Sequence, residues 1–395
     1  MHTSIYKNIN LYIIFAITLG GIVSVSLVIP VIPVIGAQFS LSPAEVGLII
    51  SSYTLPGVLF ILFLGVLADK IGRKPILVVS LVIFSIAGGA IYWLNDFYWI
   101  VVFRFIQGIG GAALPAISTI LIGDLFHEDL RLRVMGLNAA VLSAGTAVFP
   151  FIGGTLATID WNVPFLMFWM GIPLTLFIIV YMKEPEFEKR EEFFEYFRKA
   201  RRFIFTFKSM FAFLVGISIF ILLYGGILTY LTLFMGTHYS MSPFTIGMCI
   251  ASSSFASAII APLSGRIEIY IGRRAMLVLG FVFLALAFLL VLFVPSEGWL
   301  YVVMLLVGSC MGITLPLVQS IVTGLSPTEY RGLLVSFFGM TIRLGQTVGP
   351  PILAGVLYFG DIEDIFKVCF LYSIGMALLL FIFGGIFMKR GFREY

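Results

Sequence analysis

Twelve long apolar stretches, set apart by short polar ones, dominate this chain. They run near 11–35, 45–68, 75–94, 98–123, 134–157, 162–182, 209–236, 243–265, 274–294, 298–324, 332–358 and 364–388. Each is long enough for a membrane-spanning helix, which needs about 20 apolar residues to cross about 30 Å of hydrocarbon. The apolar residues are continuous. A spanning β-barrel would instead show alternating segments of about ten residues. In lipid every backbone polar group must be satisfied internally, so continuous runs of this length predict helices. The pattern therefore predicts an all-α polytopic membrane protein of about 12 spans. The first run begins near Leu11 and continues past Pro33, too long for a signal-peptide core, and is expected to be a retained span.

Composition agrees. Hydrophobic residues make up 60% of the 395 residues and charged ones 11%, against about 25% charged in a soluble domain. The mean hydropathy is +1.10. The three cysteines, Cys249, Cys310 and Cys369, lie in apolar runs and are expected to pack rather than pair. Nothing points to nucleic acid.

Charge placement gives orientation. Of the 24 Lys and Arg residues, all but Arg104, Arg343 and Lys367 fall on one side if the runs alternate in direction. Short loops rich in Lys and Arg stay in the cytoplasm. Both termini are thus expected there, with the chain threaded many times through the cell membrane. The opposite loops carry acids such as Asp96, Asp160, Asp361 and Glu363.

The chain also repeats itself at an offset of about 200 residues. Gly65 and Gly72-Arg73-Lys74 recur as Gly265 and Gly272-Arg273-Arg274. Gly145 and Pro150 recur as Gly345 and Pro350, Arg131 as Arg331, and Leu114-Pro115 one step off register as Leu315-Pro316. Two homologous six-helix bundles are expected, one over 1–182 and one over 209–395. The charged stretch 183–208 between them is expected to be a cytoplasmic linker. Phe193, Phe194 and Phe197 share one helical face there, which suggests a helix lying on the membrane surface. Two such bundles with a solute site between them is a transporter plan.

The loop from Gly65 to Leu77, with Asp69, Gly72, Arg73 and Lys74 in place, resembles the signature loop of the major facilitator superfamily. Three further stretches are similar to its twelve-span drug/proton antiporter branch. These are Leu19-Gly20 with Pro30-Val31-Ile32-Pro33; Arg104 with Gln107, Gly108, Gly110 and Gly111; and Gly136, Gly145, Pro150, Gly153 and Gly154. Phe149 stands where the last motif has Gly. The resemblance implies a monomeric carrier that exports a small solute by alternating access in exchange for protons. It also implies a cytoplasmic gate built from Gly65, Asp69, Gly72, Arg73 and Asp124, in which Arg73 pairs with Asp124. In the second copy Ile269 replaces Asp69, so the latch there is expected either to be weaker or to use Glu268. Glycines and Pro150 of the fifth span would serve close helix packing and bending.

A charged group inside a membrane span is costly and marks a functional candidate. Two arginines qualify. Arg343 lies about ten residues into the eleventh run, so about 15 Å deep at 1.5 Å per residue, with Gln346 and Thr347 one turn on. Arg104 lies in the outer half of the fourth run, with Gln107 one turn further in. Asn138 and Tyr224 are further candidates for the solute or ion pathway, and Tyr53, Tyr230 and Gln319 are softer ones. No Asp or Glu lies deep in any run; Glu45 is the nearest. This departs from the branch, where an embedded carboxylate commonly meets the proton or a cationic drug. The cavity is therefore expected to favour a neutral or anionic solute, with Arg343 as its charge contact.

Two classes of rival stand against export. Uptake by symport or facilitated diffusion is the rival within transport. A receptor or scaffold is the rival outside it. An enzyme is disfavoured, since no embedded His, Cys or carboxylate cluster offers a nucleophile with its base or a metal site. No Gly-rich phosphate loop follows a strand, and no cofactor is expected.

Overall fold

A computed structural model describes residues 8–126, 128–182, 198, 201–326 and 330–387. Every regular element among them is helical. The spans are α1 (Ile9–Gln38), α2 (Leu48–Ile71), α3 (Arg73–Ala90), α4 (Phe97–Leu125), α5 (Glu128–Leu156) and α6 (Val163–Tyr181). The second set is α7 (Phe207–His238), α8 (243–271), α9 (273–291), α10 (Trp299–Thr323), α11 (Arg331–Ala354) and α12 (Ile362–Phe387). The surface helix expected within 183–208 falls largely outside the described residues.

Ten helical runs are long and apolar enough to cross a membrane. One of them, Pro243–Val291, is kinked at Gly272 and counts as two spans. Adding α11 gives twelve. At 24 residues α11 has the length, but Thr341, Arg343, Gln346 and Thr347 dilute its apolar character. The surface is itself apolar. Leu176, Val180, Leu371, Phe381 and Ile382 are exposed side chains that only lipid suits. Trp93, Tyr98, Trp99, Trp299 and Tyr358 are exposed near the end that carries the acidic loops, as an aromatic belt requires.

The repeat is carried into the backbone. Gly72 and Gly272 both hold positive φ, at 110° and 78°, and both break the helix between paired spans. A side chain there would be strained, which is why the turn keeps glycine in both copies. Ser40 and Ser240 share φ of 51° and 53°, and Ser42 and Ser242 each cap the helix that follows. The opening helix of each half also loses regular geometry at matching places. α1 breaks after Ser26 into a 3₁₀ turn at Ile29–Val31, while α7 widens into a π-helix over Leu222–Leu231.

The halves form two bundles that meet along two seams, α2 against α11 and α5 against α8. A polar knot holds the first bundle: Thr18 Oγ1 lies 2.6 Å from Ser118 Oγ and donates to Asn138 Oδ1 at 2.7 Å. All three cysteines are buried and unpaired, as expected.

Candidate functional site

Two polar clusters lie deep in the spans. The first surrounds Arg104 on α4, which is fully buried. Its Nε donates to the Ile49 carbonyl at 3.2 Å. Its Nη1 donates to the Ser24 carbonyl at 3.0 Å and to Gln107 Oε1 at 2.9 Å. The guanidinium carbon stands 4.6 Å from the centre of the Tyr53 ring. Dipoles and an aromatic face thus hold this charge, with no carboxylate among the contacts. Glycines let the helices come this close: a Cβ on Gly108 would strike the Tyr53 carbonyl, and one on Gly111 the Tyr53 hydroxyl. The cluster ties α1, α2 and α4 together inside one bundle.

The second cluster lies between the bundles. Arg343 on α11 is only partly buried. Its aliphatic stem packs on α2, where a Cβ at Gly57 would sit 3.3 Å from Cδ. Gln346 and Thr347, one turn on, are nearly buried. From the π-helical part of α7, Tyr224 brings its hydroxyl beside Gln346, Arg343 and the Tyr53 hydroxyl. The Thr229 hydroxyl donates to the Tyr224 carbonyl at 2.7 Å, a five-residue reach that belongs to the widened turn. Tyr53, Tyr224, Arg343 and Gln346 therefore converge from both bundles. The Tyr53 hydroxyl and Gln346 Oε1 are buried without partners, which suits groups awaiting a ligand. The ion pairs described, Arg73–Asp124, Arg273–Glu268 and Lys367–Asp364, all stand at the helix ends.

Access to this site is one-sided. Towards the acidic end the seams are closed. Ser51 Oγ donates to the Thr347 carbonyl at 2.8 Å, and Thr347 Oγ1 donates to Thr54 Oγ1 at 3.0 Å. Ser254 Oγ donates to the Thr146 carbonyl at 3.1 Å across the other seam. Beyond it the backbones touch: a Cβ on Gly154 would strike the Pro243 carbonyl, and one on Gly247 the Pro150 carbonyl. Towards the basic end, glycines on the same spans face open space. Cβ atoms at Gly136, Gly265, Gly332 and Gly339 would meet nothing within 4 Å. A separate cavity of about 720 Å³ opens sideways between α2, α4 and α11, but Leu48, Leu55, Phe105 and Ile352 make it apolar.

Two spanning bundles, matched by a repeat and joined around a mid-depth polar site, form a recognisable assembly. The family model described as Major Facilitator Superfamily matches residues 14–241 and 213–394. This chain belongs to the major facilitator superfamily. The bacillibactin exporter of Bacillus subtilis (strain 168) is 27% identical over 389 residues, covering 92% of each chain. The class B tetracycline resistance protein of Escherichia coli is 26% identical over 362 residues, covering 89% of each. The fold is shared with a bacterial homologue of the human lysosomal transporter Spinster, solved inward-facing and occupied. That match has a TM-score of 0.77 at 16% identity and covers 97% of this chain and 96% of the other.

Within this family frame the expected residues fall out unevenly. Arg73 and Asp124 form the expected pair, Nε to Oδ2 at 3.1 Å. Both belong to the first bundle, so the pair does not itself clasp one bundle to the other. The side chains of Gly65 and Asp69 lie outside the described residues. The second copy uses Glu268 as expected, with Arg273 Nε donating to Oε1 at 2.6 Å. In the fifth-span motif, Gly145 packs on Leu19 and Gly153 on the Leu27 carbonyl, both in α1, whereas Gly154 and Pro150 face α8. A Cβ at Gly136 would meet nothing within 4 Å. Arg104 and Gln107 belong to the intrabundle tie, and Asn138 to the polar knot with Thr18. Glu45 is spent on a capping box, accepting from Ser42 N at 2.8 Å and Oγ at 2.7 Å. Tyr230 donates to the Pro350 carbonyl at 3.0 Å, and Gln319 is exposed.

Two features escaped sequence reasoning. The π-helix leaves no periodic mark, although the Gly225-Gly226 pair inside it is a visible weak point. The seam residues Ser51, Thr54 and Thr347 were visible as hydroxyls in apolar runs, but their partners lie nearly 300 residues away.

Proposed function

We propose that this protein exports a small organic solute across the cell membrane by alternating access, acting as a monomer, and that its cavity favours neutral or anionic solutes. The observation that carries the reading is Arg343, partly exposed between the bundles beside Tyr224 and Gln346, with every acid among the described residues at a helix end or loop. A guanidinium offers paired donors that suit a carboxylate or phosphate. Export is supported by relatives whose names are those of an exporter and a resistance protein. The basic end is read as cytoplasmic, with both termini there, so the conformation described is inward-open. Exchange for protons is the coupling that the drug/proton branch implies.

Transport of paired anionic and cationic dyes by purified wild type and Arg343→Ala in proteoliposomes tests the cargo. Anion transport by wild type and its loss, at least tenfold, in the variant are expected. Transport of cations alone, or anion transport intact in Arg343→Ala, overturns the reading. Uptake by a facilitator would instead show counterflow of the dye with no response to any imposed gradient.

A further inference from the structure

We infer that the cargo is a monovalent organic anion whose own charge couples transport to the membrane potential, and that the voltage acts on the return of the empty carrier. This rests on the reading above that Arg343 meets the cargo, and it revises only the driving force.

The inference begins with what could hold a coupling proton at the site. Among the described residues every carboxylate lies at a helix end or in a loop, the sequence places no Asp or Glu deep in an apolar run, and the three histidines are His2, His127 and His238. The titratable groups facing the Arg343 cluster are the hydroxyls of Tyr224, from α7, and Tyr53, from α2. Gln346 and the stem contact at Gly57 complete the surroundings. Neither tyrosine offers a carboxylate or an imidazole, so among the described residues the cluster holds no such group to exchange a proton between inside and outside.

A fixed positive charge remains. Arg104 is fully buried, capped by carbonyls and the Tyr53 face, and belongs to one bundle. Arg343 is partly exposed at the point where the bundles meet. When access switches from one side to the other, its charge changes place in the transmembrane field. With a bound monoanion the site is neutral, and the loaded switch moves no net charge. Empty, the site carries one positive charge, and the return switch brings it inward. An inside-negative potential favours that return. Each cycle thus moves one negative charge outward, which sustains a gradient of roughly fiftyfold per 100 mV.

The test uses the full chain in proteoliposomes with labelled aryl monoanions: a benzoate, a salicylate and a naphthalenesulfonate. Valinomycin with a potassium gradient sets the voltage at matched pH; equal potassium with valinomycin clamps it at zero while pH is stepped. Three results are expected. Net efflux and uphill accumulation follow voltage. Neither responds to a pH step of one unit at clamped voltage. One-for-one exchange of labelled for unlabelled anion is indifferent to voltage, because the loaded switch is neutral. Arg343→Lys keeps this pattern. In Arg343→Gln, the residual exchange becomes voltage-sensitive, since the loaded site is then negative. Uphill transport driven by pH at clamped voltage overturns the inference and restores proton antiport. So does exchange as voltage-sensitive as net efflux. If none of the three anions exchanges at all, the cargo reading beneath it has failed, a result distinct from pH-driven exchange.

Discussion

Arg104 and Arg343 are both single charges in apolar runs, yet their surroundings separate them. Arg104 spends Nε and Nη1 on Ile49, Ser24 and Gln107, leaves Nη2 buried without a partner, and lies over Tyr53. Removing it unties three helices. Arg104→Ala is expected to lower stability by about 2–3 kcal/mol, the scale of hydrogen bonds made by a charged group. Arg343→Ala removes a half-buried side chain with no carboxylate partner and should stay within about 0.5 kcal/mol. Thermal unfolding of both variants in the same detergent decides it, and equal losses would sink the distinction. Sequence supplied the depth of each arginine but not its azimuth on the helix. Depth follows from counting residues at 1.5 Å each. Azimuth matters only relative to a neighbour, and the neighbours of Arg343 sit on α2 and α7, far away in the chain.

Among the elements, long apolar helices were legible because lipid leaves the chain so few options. The run Pro243–Val291 shows where that legibility has a physical source. Arg266, Glu268, Arg273 and Arg274 divide it in the sequence, the recurrence of Gly72 as Gly272 places the turn, and the φ of 78° there explains the recurrence. A Cβ at Gly272 would meet no neighbour within 4 Å. Gly272→Ala therefore isolates backbone strain from crowding and is expected to cost about 1–3 kcal/mol. An unfolding midpoint unchanged from wild type would show that the turn tolerates a side chain. The π-helix of α7 was not legible, because a widened turn changes hydrogen-bond partners without changing which residues are apolar. Its effect is nonetheless local and large: it sets where Tyr224 stands beside Gln346 and Arg343.

At the scale of the molecule, one end of the bundle interface is shut by hydroxyls and by backbone against backbone, while glycines toward the other end face open space. Gly154 is the place to force the shut end open, since a side chain there meets the Pro243 carbonyl, an atom that cannot rotate away. Gly154→Leu is expected to shift the carrier away from the inward-open state. Ser51→Cys, in a background without the three native cysteines, provides the reading: Ser51 is 6% exposed beneath the closed seam. Its labelling by an impermeant maleimide from the acidic end should be slow alone and at least fivefold faster with Gly154→Leu. Unchanged labelling would mean that α5 and α8 absorb the side chain without parting. Two bundles of six were readable from the repeat, because homologous halves keep their turns and prolines. The state of the interface was not, since opening and closing use the same residues in different company.

The closed α5–α8 seam has one more consequence. Its tightest contacts are made by main-chain atoms, the Pro243 and Pro150 carbonyls meeting Gly154 and Gly247. Main-chain atoms are the same whatever the side chains become. Selection can therefore rewrite the pocket around Tyr53, Tyr224 and Arg343 without jamming the moving parts, provided those two glycines are kept. A lineage built on this hinge can change cargo by point mutation while inheriting its gate intact.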